Sequence, residues 1–125
     1  HQRVHAHDGG CTSVIFHPTK PVLISGGKDG HLRTWHSADL RPVHFLAAHA
    51  GSIYMIAFSP DGALCATASR EKTIKLWDAN TFDPIQRLDR AAGGHGHSVN
   101  TLLWVGSSLI TAGDDRSIIV WDQNG

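Results

Sequence analysis

The sequence lacks an excess of charge of either sign: eleven Lys plus Arg stand against eleven Asp plus Glu. Without a basic excess there is no built-in pull toward phosphate backbones, so nucleic acid is not expected as a main partner. No apolar run approaches the roughly 20 residues of a bilayer-spanning helix, and no basic-then-apolar leader opens the chain, so no membrane partner is expected. Cysteine is scarce. Cys11 and Cys65 sit in apolar stretches without CxxC spacing and are expected to be small core residues of a reducing, cytoplasmic setting, although a bridge between them stays open. The first residue is His1 and the sole methionine is Met55, so the chain is expected to be a fragment, a processed product or the ordered part of something longer. Sustained helical periodicity is also missing. What is present is apolar content, 41% of residues, enough to offset chain entropy around a single core.

That content is organised as three copies of one unit. His7 to Trp35 and His49 to Trp77 each span 28 steps, with Phe16 and Phe58 nine after the histidine and Pro18 and Pro60 eleven after it. A third copy runs from His95 to Trp121, with a shorter central turn and a longer connection before it. A period near 42 residues is that of propeller blades. Each copy opens with a strand whose apolar residues are spaced three then two: Cys11, Val14, Phe16; Ile53, Ile56, Phe58; Val99, Leu102, Trp104. A one-residue bulge reconciles that spacing with strand alternation. Second strands are expected at Val22–Ser25, Leu64–Thr67 and Ser108–Thr111. Third strands are expected at His31–Trp35, Thr73–Trp77 and Ser117–Trp121, rich in β-branched residues. Fourth strands are expected at Pro42–Leu46 and Pro84–Leu88, each opened by a proline suited to an edge.

Ser59-Pro60-Asp61-Gly62, then Thr73-Ile74-Lys75-Leu76-Trp77-Asp78, with Ala48-His49 upstream, resembles the WD-repeat family of β-propellers. Gly94-His95 and Trp121-Asp122 supply the end motifs of the third copy, whereas Ala replaces Gly before His7 and His49, and His36 replaces the terminal Asp of the first. The resemblance implies an all-β propeller segment of four-stranded antiparallel blades. Residues 1–6 would be the fourth strand of a preceding or closing blade, 7–48 blade 1, 49–92 blade 2, and 93–125 a blade 3 lacking its fourth strand.

Four polar residues recur in register: His7, Ser25, Asp29, Trp35; His49, Thr67, Glu71, Trp77; His95, Thr111, Asp115, Trp121. A catalytic triad would occur once, not three times with Ser and Thr exchanging freely. The set is similar to the family's buried network, in which indole, hydroxyl, imidazole and carboxylate are bonded in series. Glu71 is one methylene longer than Asp, so its network is expected to be strained or water-mediated. Ten histidines raise a metal site, with His1, His5 and His7 clustered at the start and His95 and His97 near the end. Three of the ten have structural roles and nothing completes a tetrahedral set, so neither metal nor cofactor is expected. An exchange of roles between His95 and His97 stays open.

In this family, ligands are captured on the narrow end of the ring. Carried over by position, the strand-start residues are Thr12, Tyr54 and Asn100, and the turn residues are Lys28, Arg70 and Asp114. Tyr54 and Arg70 share a blade and are residue types enriched at binding hot spots. The expected function is a non-enzymatic platform for a protein or peptide. The alternatives are a purely architectural module of a larger protein and, behind it, a histidine-based metalloenzyme. Three blades cannot enclose a ring, since rings use roughly four to eight. The third copy lacks a last strand, whereas Val4 precedes His7 by three as Leu46 precedes His49. Either a longer propeller or self-association of two or three copies is therefore expected to close the ring.

Overall fold

The computed structural model describes residues 1–122. Its strands run β1 (Cys11–Phe16), β2 (Val22–Gly27), β3 (His31–His36), β4 (Pro42–Ala47), β5 (Ile53–Phe58), β6 (Leu64–Ser69), β7 (Ile74–Asp78), β8 (Pro84–Leu88), β9 (Val99–Val105), β10 (Ser108–Gly113) and β11 (Ile118–Asp122). They form antiparallel sheets in the orders β1-β2-β3-β4, β5-β6-β7-β8 and β9-β10-β11. These are three consecutive blades of an all-β propeller. No α-helix occurs among the described residues. The longer third connection winds into a 3-10 turn, Arg90–Ala92, where the Asp89 carboxylate accepts the Ala92 N–H. Residues 123–125 of the third copy lie outside the described residues.

The bulge inferred from the three-then-two spacing is present in every blade. Cys11 pairs with Gly27 and Ser13 with Gly26, leaving Thr12 unpaired. Ile53 and Met55 flank Tyr54 in the same way, and Val99 and Thr101 flank Asn100. One extra residue shifts the alternation, so Ile56 and Phe58 face blade 1 while Met55 and Ala57 face blade 3.

The core lies between blades. Ile24 and Leu32 of blade 1 meet Ile53, Ile56, Cys65 and Trp77 of blade 2. Ala66, Ala68, Ile74 and Leu76 of blade 2 meet Val99, Leu102 and Trp104 of blade 3. Small residues set the spacing, because a Cβ on Gly26 would come within 2.8 Å of Ile53 Cγ2. His17, which the sequence pattern did not single out, also crosses this layer, donating from Nε2 to the Ala79 carbonyl at 2.7 Å.

Blade 2 is covered on both sides and the end blades on one. This corrects the reading of Cys11 as a core residue. Cys65 is buried, but Cys11 is exposed, because among the described residues no blade lies on its side of β1; both thiols are free. The reading of residues 1–6 as the fourth strand of a preceding or closing blade calls for a partner sheet that the described residues do not contain. Residues 1–6 form no strand and leave the third sheet with three. They lie against blade 1, where Arg33 Nη1 donates to the Ala6 carbonyl at 3.2 Å and Gln2 Nε2 to the Ala38 carbonyl at 3.3 Å. A strand needs a neighbouring ladder, and none stands beside this segment among the described residues.

Candidate functional site

The four polar residues of each blade are joined in series. In blade 1, Trp35 Nε1 donates to Ser25 Oγ at 2.9 Å, His7 Nε2 lies 2.8 Å from that oxygen, and His7 Nδ1 lies 3.0 Å from the Asp29 carboxylate. The matching distances are 3.0, 2.7 and 2.8 Å for Trp77, Thr67, His49 and Glu71, and 3.1, 2.8 and 2.9 Å for Trp121, Thr111, His95 and Asp115. Since the indole can only donate, the hydroxyl accepts from it and gives its own proton to Nε2, leaving Nδ1–H for the carboxylate. His95 is the fully buried partner and His97 is exposed.

Glu71 departs from the expectation of strain or a bridging water. Its extra methylene is absorbed by the Thr73 hydroxyl, which donates to Oε1 at 2.5 Å while His49 reaches the same oxygen directly. Burial pushes the His49 imidazole down to about 4, against the upward pull of Glu71. Burial works against the Glu71 charge as well, yet the Thr73 and His49 bonds outweigh it and leave the pKa lowered. The hydrogen bond from His95, joined by the Gly96 N–H, holds Asp115 down to about 2. The hydroxyl in each set is committed on both sides, so these networks fasten the third strand to the loop before the first and present no free nucleophile. Among the described residues no three His, Cys, Asp or Glu side chains are grouped to hold a metal.

The candidate partner-contacting residues all emerge at one end of the blades. Thr12, Tyr54 and Asn100 are the three bulge residues, which the distorted ladder turns out of the sheet. The turn residues are fastened beside them by a repeated backbone bond. Lys28 N–H donates to the Gly10 carbonyl, Arg70 N–H to Ser52 and Asp114 N–H to Ser98, each at 3.0 Å.

The chemistry differs from blade to blade. Thr12 spends its hydroxyl on the Ile53 and Gly26 carbonyls. Asn100 Nδ2 donates to Asp114 at 2.6 Å, so these two engage each other. The Tyr54 phenol, the Arg70 guanidinium and the Lys28 ammonium have no partner among the described residues. Lys75 and Arg33 form a feature the sequence reading missed: Lys75 Nζ donates to the Ala48 carbonyl as Arg33 does to Ala6. A cation at the same position of two third strands, two residues before Trp, was the available signal.

A propeller built from repeats with these buried networks defines a class, and family comparison agrees. The model of the WD domain, G-beta repeat, matches residues 1–36, 40–78 and 84–122. The chain belongs to the WD40 repeat family. It is 29% identical over 119 residues to rice (Oryza sativa subsp. japonica) small ribosomal subunit protein RACK1y, covering 93% of this chain and 34% of that protein. It is 32% identical over 118 residues to Candida albicans nuclear distribution protein PAC1, covering 89% of this chain and 23% of the relative. The chain thus spans about a third or less of these relatives. Among solved structures, the RRP9 WD40 repeats superpose with a TM-score of 0.85 at 24% identity, over 96% of this chain and 37% of that one. The computationally designed Ika4 protein superposes with 0.78 at 25% identity, over 93% and 68%.

Proposed function

We propose that this chain is a non-enzymatic binding platform that takes a peptide or protein loop on the end of the blades where Tyr54, Arg70 and Lys28 emerge. WD40 repeat proteins act as protein-interaction scaffolds. The observation that carries the reading here is the contrast along that end. Asn100 and Asp114 satisfy each other and Thr12 is tied to blade 2, whereas Tyr54, Arg70 and Lys28 keep unspent bonding capacity on a frame held by the networks. Two cations and an exposed phenol on the same end of the blades suit an acidic side chain followed by a flat or apolar one. A cytoplasmic setting, with both thiols free, goes with this reading.

The test is a peptide array of acidic, neutral and basic sequences probed with the purified chain. Retention of acidic peptides, weakened roughly tenfold or more by Arg70→Ala or Tyr54→Ala, is the expected result. Binding that ignores peptide charge and both substitutions would favour a purely architectural role.

A further inference from the structure

We propose that the cavity between blades 2 and 3, at the end of the blades opposite Tyr54 and Arg70, takes an arginine side chain from a partner protein. The guanidinium lies on the Trp104 indole and pairs with the Asp61 carboxylate. This stands on the turns that follow the first strands of blades 2 and 3, residues 59–63 and 106–107, and not on the binding end described above.

The repeat explains how the cavity arises. His17 and Ser59 each follow directly after the first strand of a blade, and their N–H groups donate across the turn to the Val22 and Leu64 carbonyls. The His17 ring reaches over from blade 1 to blade 2. It is buried, its centroid lies 5.0 Å from that of Phe58, and Nε2 donates to the Ala79 carbonyl. Trp104 holds in blade 3 the place of Phe58, because their partners Leu109 and Cys65 stand in turn opposite Trp121 and Trp77. Ser59 therefore faces Trp104 as His17 faces Phe58, but has no ring to lay there. The turns differ as well. A Cβ on Gly62 would lie 3.6 Å from Pro18 Cγ, so the turn of blade 2 reaches that of blade 1. The turn of blade 3 has only Gly106 and Ser107, and a Cβ on Gly106 would meet no described atom within 4 Å. The outcome is a cavity of about 270 Å³ lined by Ser59, Pro60, Asp61 and Leu64 of blade 2 and by Trp104 and Ser107 of blade 3.

The lining selects a flat cation. Among the described residues no lysine, arginine or histidine lines the cavity. Asp61 Oδ1 accepts from the Ser59 hydroxyl at 2.6 Å and from the Ala63 N–H at 3.0 Å, which leaves Oδ2 with no partner among the described residues. Those two bonds hold the carboxyl below the usual carboxylate range, so it is charged at neutral pH. Trp104 Nε1 donates to the Ala57 carbonyl at 3.2 Å, so the indole is fixed with its N–H spent and offers carbon and π surface. Tryptophan is the best ring for a cation, and arginine is the cation that stacks. The chain already uses this pairing, with the Arg33 guanidinium 4.3 Å from the Trp35 ring centroid. A guanidinium also has what the His17 imidazole supplies at the other junction, a planar group with N–H donors in its own plane. Its fork matches a carboxylate. An ammonium is compact and strongly hydrated, so it gains less in such a place.

The experiment titrates the purified chain with blocked peptides Gly-Ser-X-Ser-Gly, where X is arginine, lysine or citrulline, the last having the shape of arginine without its charge. The readout is the Trp104 indole N–H resonance in nuclear magnetic resonance spectra, assigned with Trp104→Phe. Ser59→His sets the ring of blade 1 into the cavity, and Asp61→Asn removes the charge while keeping an Oδ1 acceptor for the turn. Arg70→Ala alters the opposite end. The arginine peptide should give a saturable shift, with the citrulline and lysine peptides weaker by roughly tenfold or more. Asp61→Asn should weaken arginine binding by roughly tenfold, Ser59→His should abolish it, and Arg70→Ala should leave it unchanged. Arginine binding here and acidic-peptide binding at the Tyr54 end thus fail independently. Absence of a shift with the arginine peptide overturns the proposal. So do equal affinities for the arginine peptide and either of the others, or arginine binding undiminished in Asp61→Asn or in folded Ser59→His. Circular dichroism checks the fold of each variant, and Asp61→Asn decides alone should Ser59→His unfold.

Discussion

Ile74 and Ile118 stand at the same point of the third strand in blades 2 and 3. The first is fully buried beneath Val99 and Leu102, and the second is mostly open to water. Ile56 and Val14 repeat the contrast on the other side of the blades. In both comparisons the apolar residue is present whether or not a neighbour covers it. A blade's sequence therefore encodes a two-sided layer, and burial depends on what stands next to it rather than on the blade alone. The networks obey the same division. Thr67 is sealed in blade 2, while Ser25 and Trp35 of blade 1 line an open cavity of about 430 Å³ together with Val14 and Leu23.

The largest effect should come from placing a charge at the matched pair. Ile74→Asp buries an unpaired carboxylate and should cost about 4 kcal/mol or more, enough to unfold a small domain. Ile118→Asp should leave the strand content of the dilute chain unchanged by circular dichroism, because its side chain already meets water. The next effect compares networks. Thr67→Val orphans the Trp77 N–H and His49 Nε2 in a dry layer and should cost about 2–3 kcal/mol in urea denaturation. Ser25→Ala should cost nearer about 1 kcal/mol, since water can reach the vacated site through the open face.

The pH dependence is a further comparison. His49 titrates at about 4 in the fold against about 6.5 in an unfolded chain. The folded state therefore binds fewer protons, and the contribution of His49 is whole above about pH 6.5 and lost as pH falls toward 4, up to about 3 kcal/mol. The fall in melting temperature over that window should be shallower in His49→Gln, which has no proton to gain. Asp115, held to about 2, acts in the same sense but lower, its contribution shrinking only as pH falls below the ordinary carboxylate range. The smallest perturbation is thiol labelling. Burial pushes the Cys65 thiol up to about 12, so it should stay unreacted until unfolding, while the exposed Cys11 should be labelled in the folded chain.

The repeat made most of the fold legible. Three histidine-to-tryptophan units, the three-then-two spacing and the opening prolines correspond to the strands, bulges and edges described, because each reflects alternation within one blade. The family resemblance, carried over position by position, picked out Thr12, Tyr54 and Asn100, and the structure places them at the bulges. The resemblance did not reveal that Thr12 and Asn100 are engaged within the chain, since their partners, Ile53 and Asp114, lie on a neighbouring blade or across a turn. Cys11 read as core for a related reason: its apolar setting records the neighbour a blade expects, not whether one is there. Glu71 misled because its length was weighed against the histidine alone, while Thr73, two residues along, takes up the difference.

Urea denaturation of Ile74→Asp beside Ile118→Asp, followed by circular dichroism, tests most directly whether a blade's burial is set by the blade next to it. The account predicts a collapsed midpoint for Ile74→Asp, whose site lies beneath blade 3, and a midpoint near the native one for Ile118→Asp, whose site already meets water. Equal losses in the two variants would contradict it.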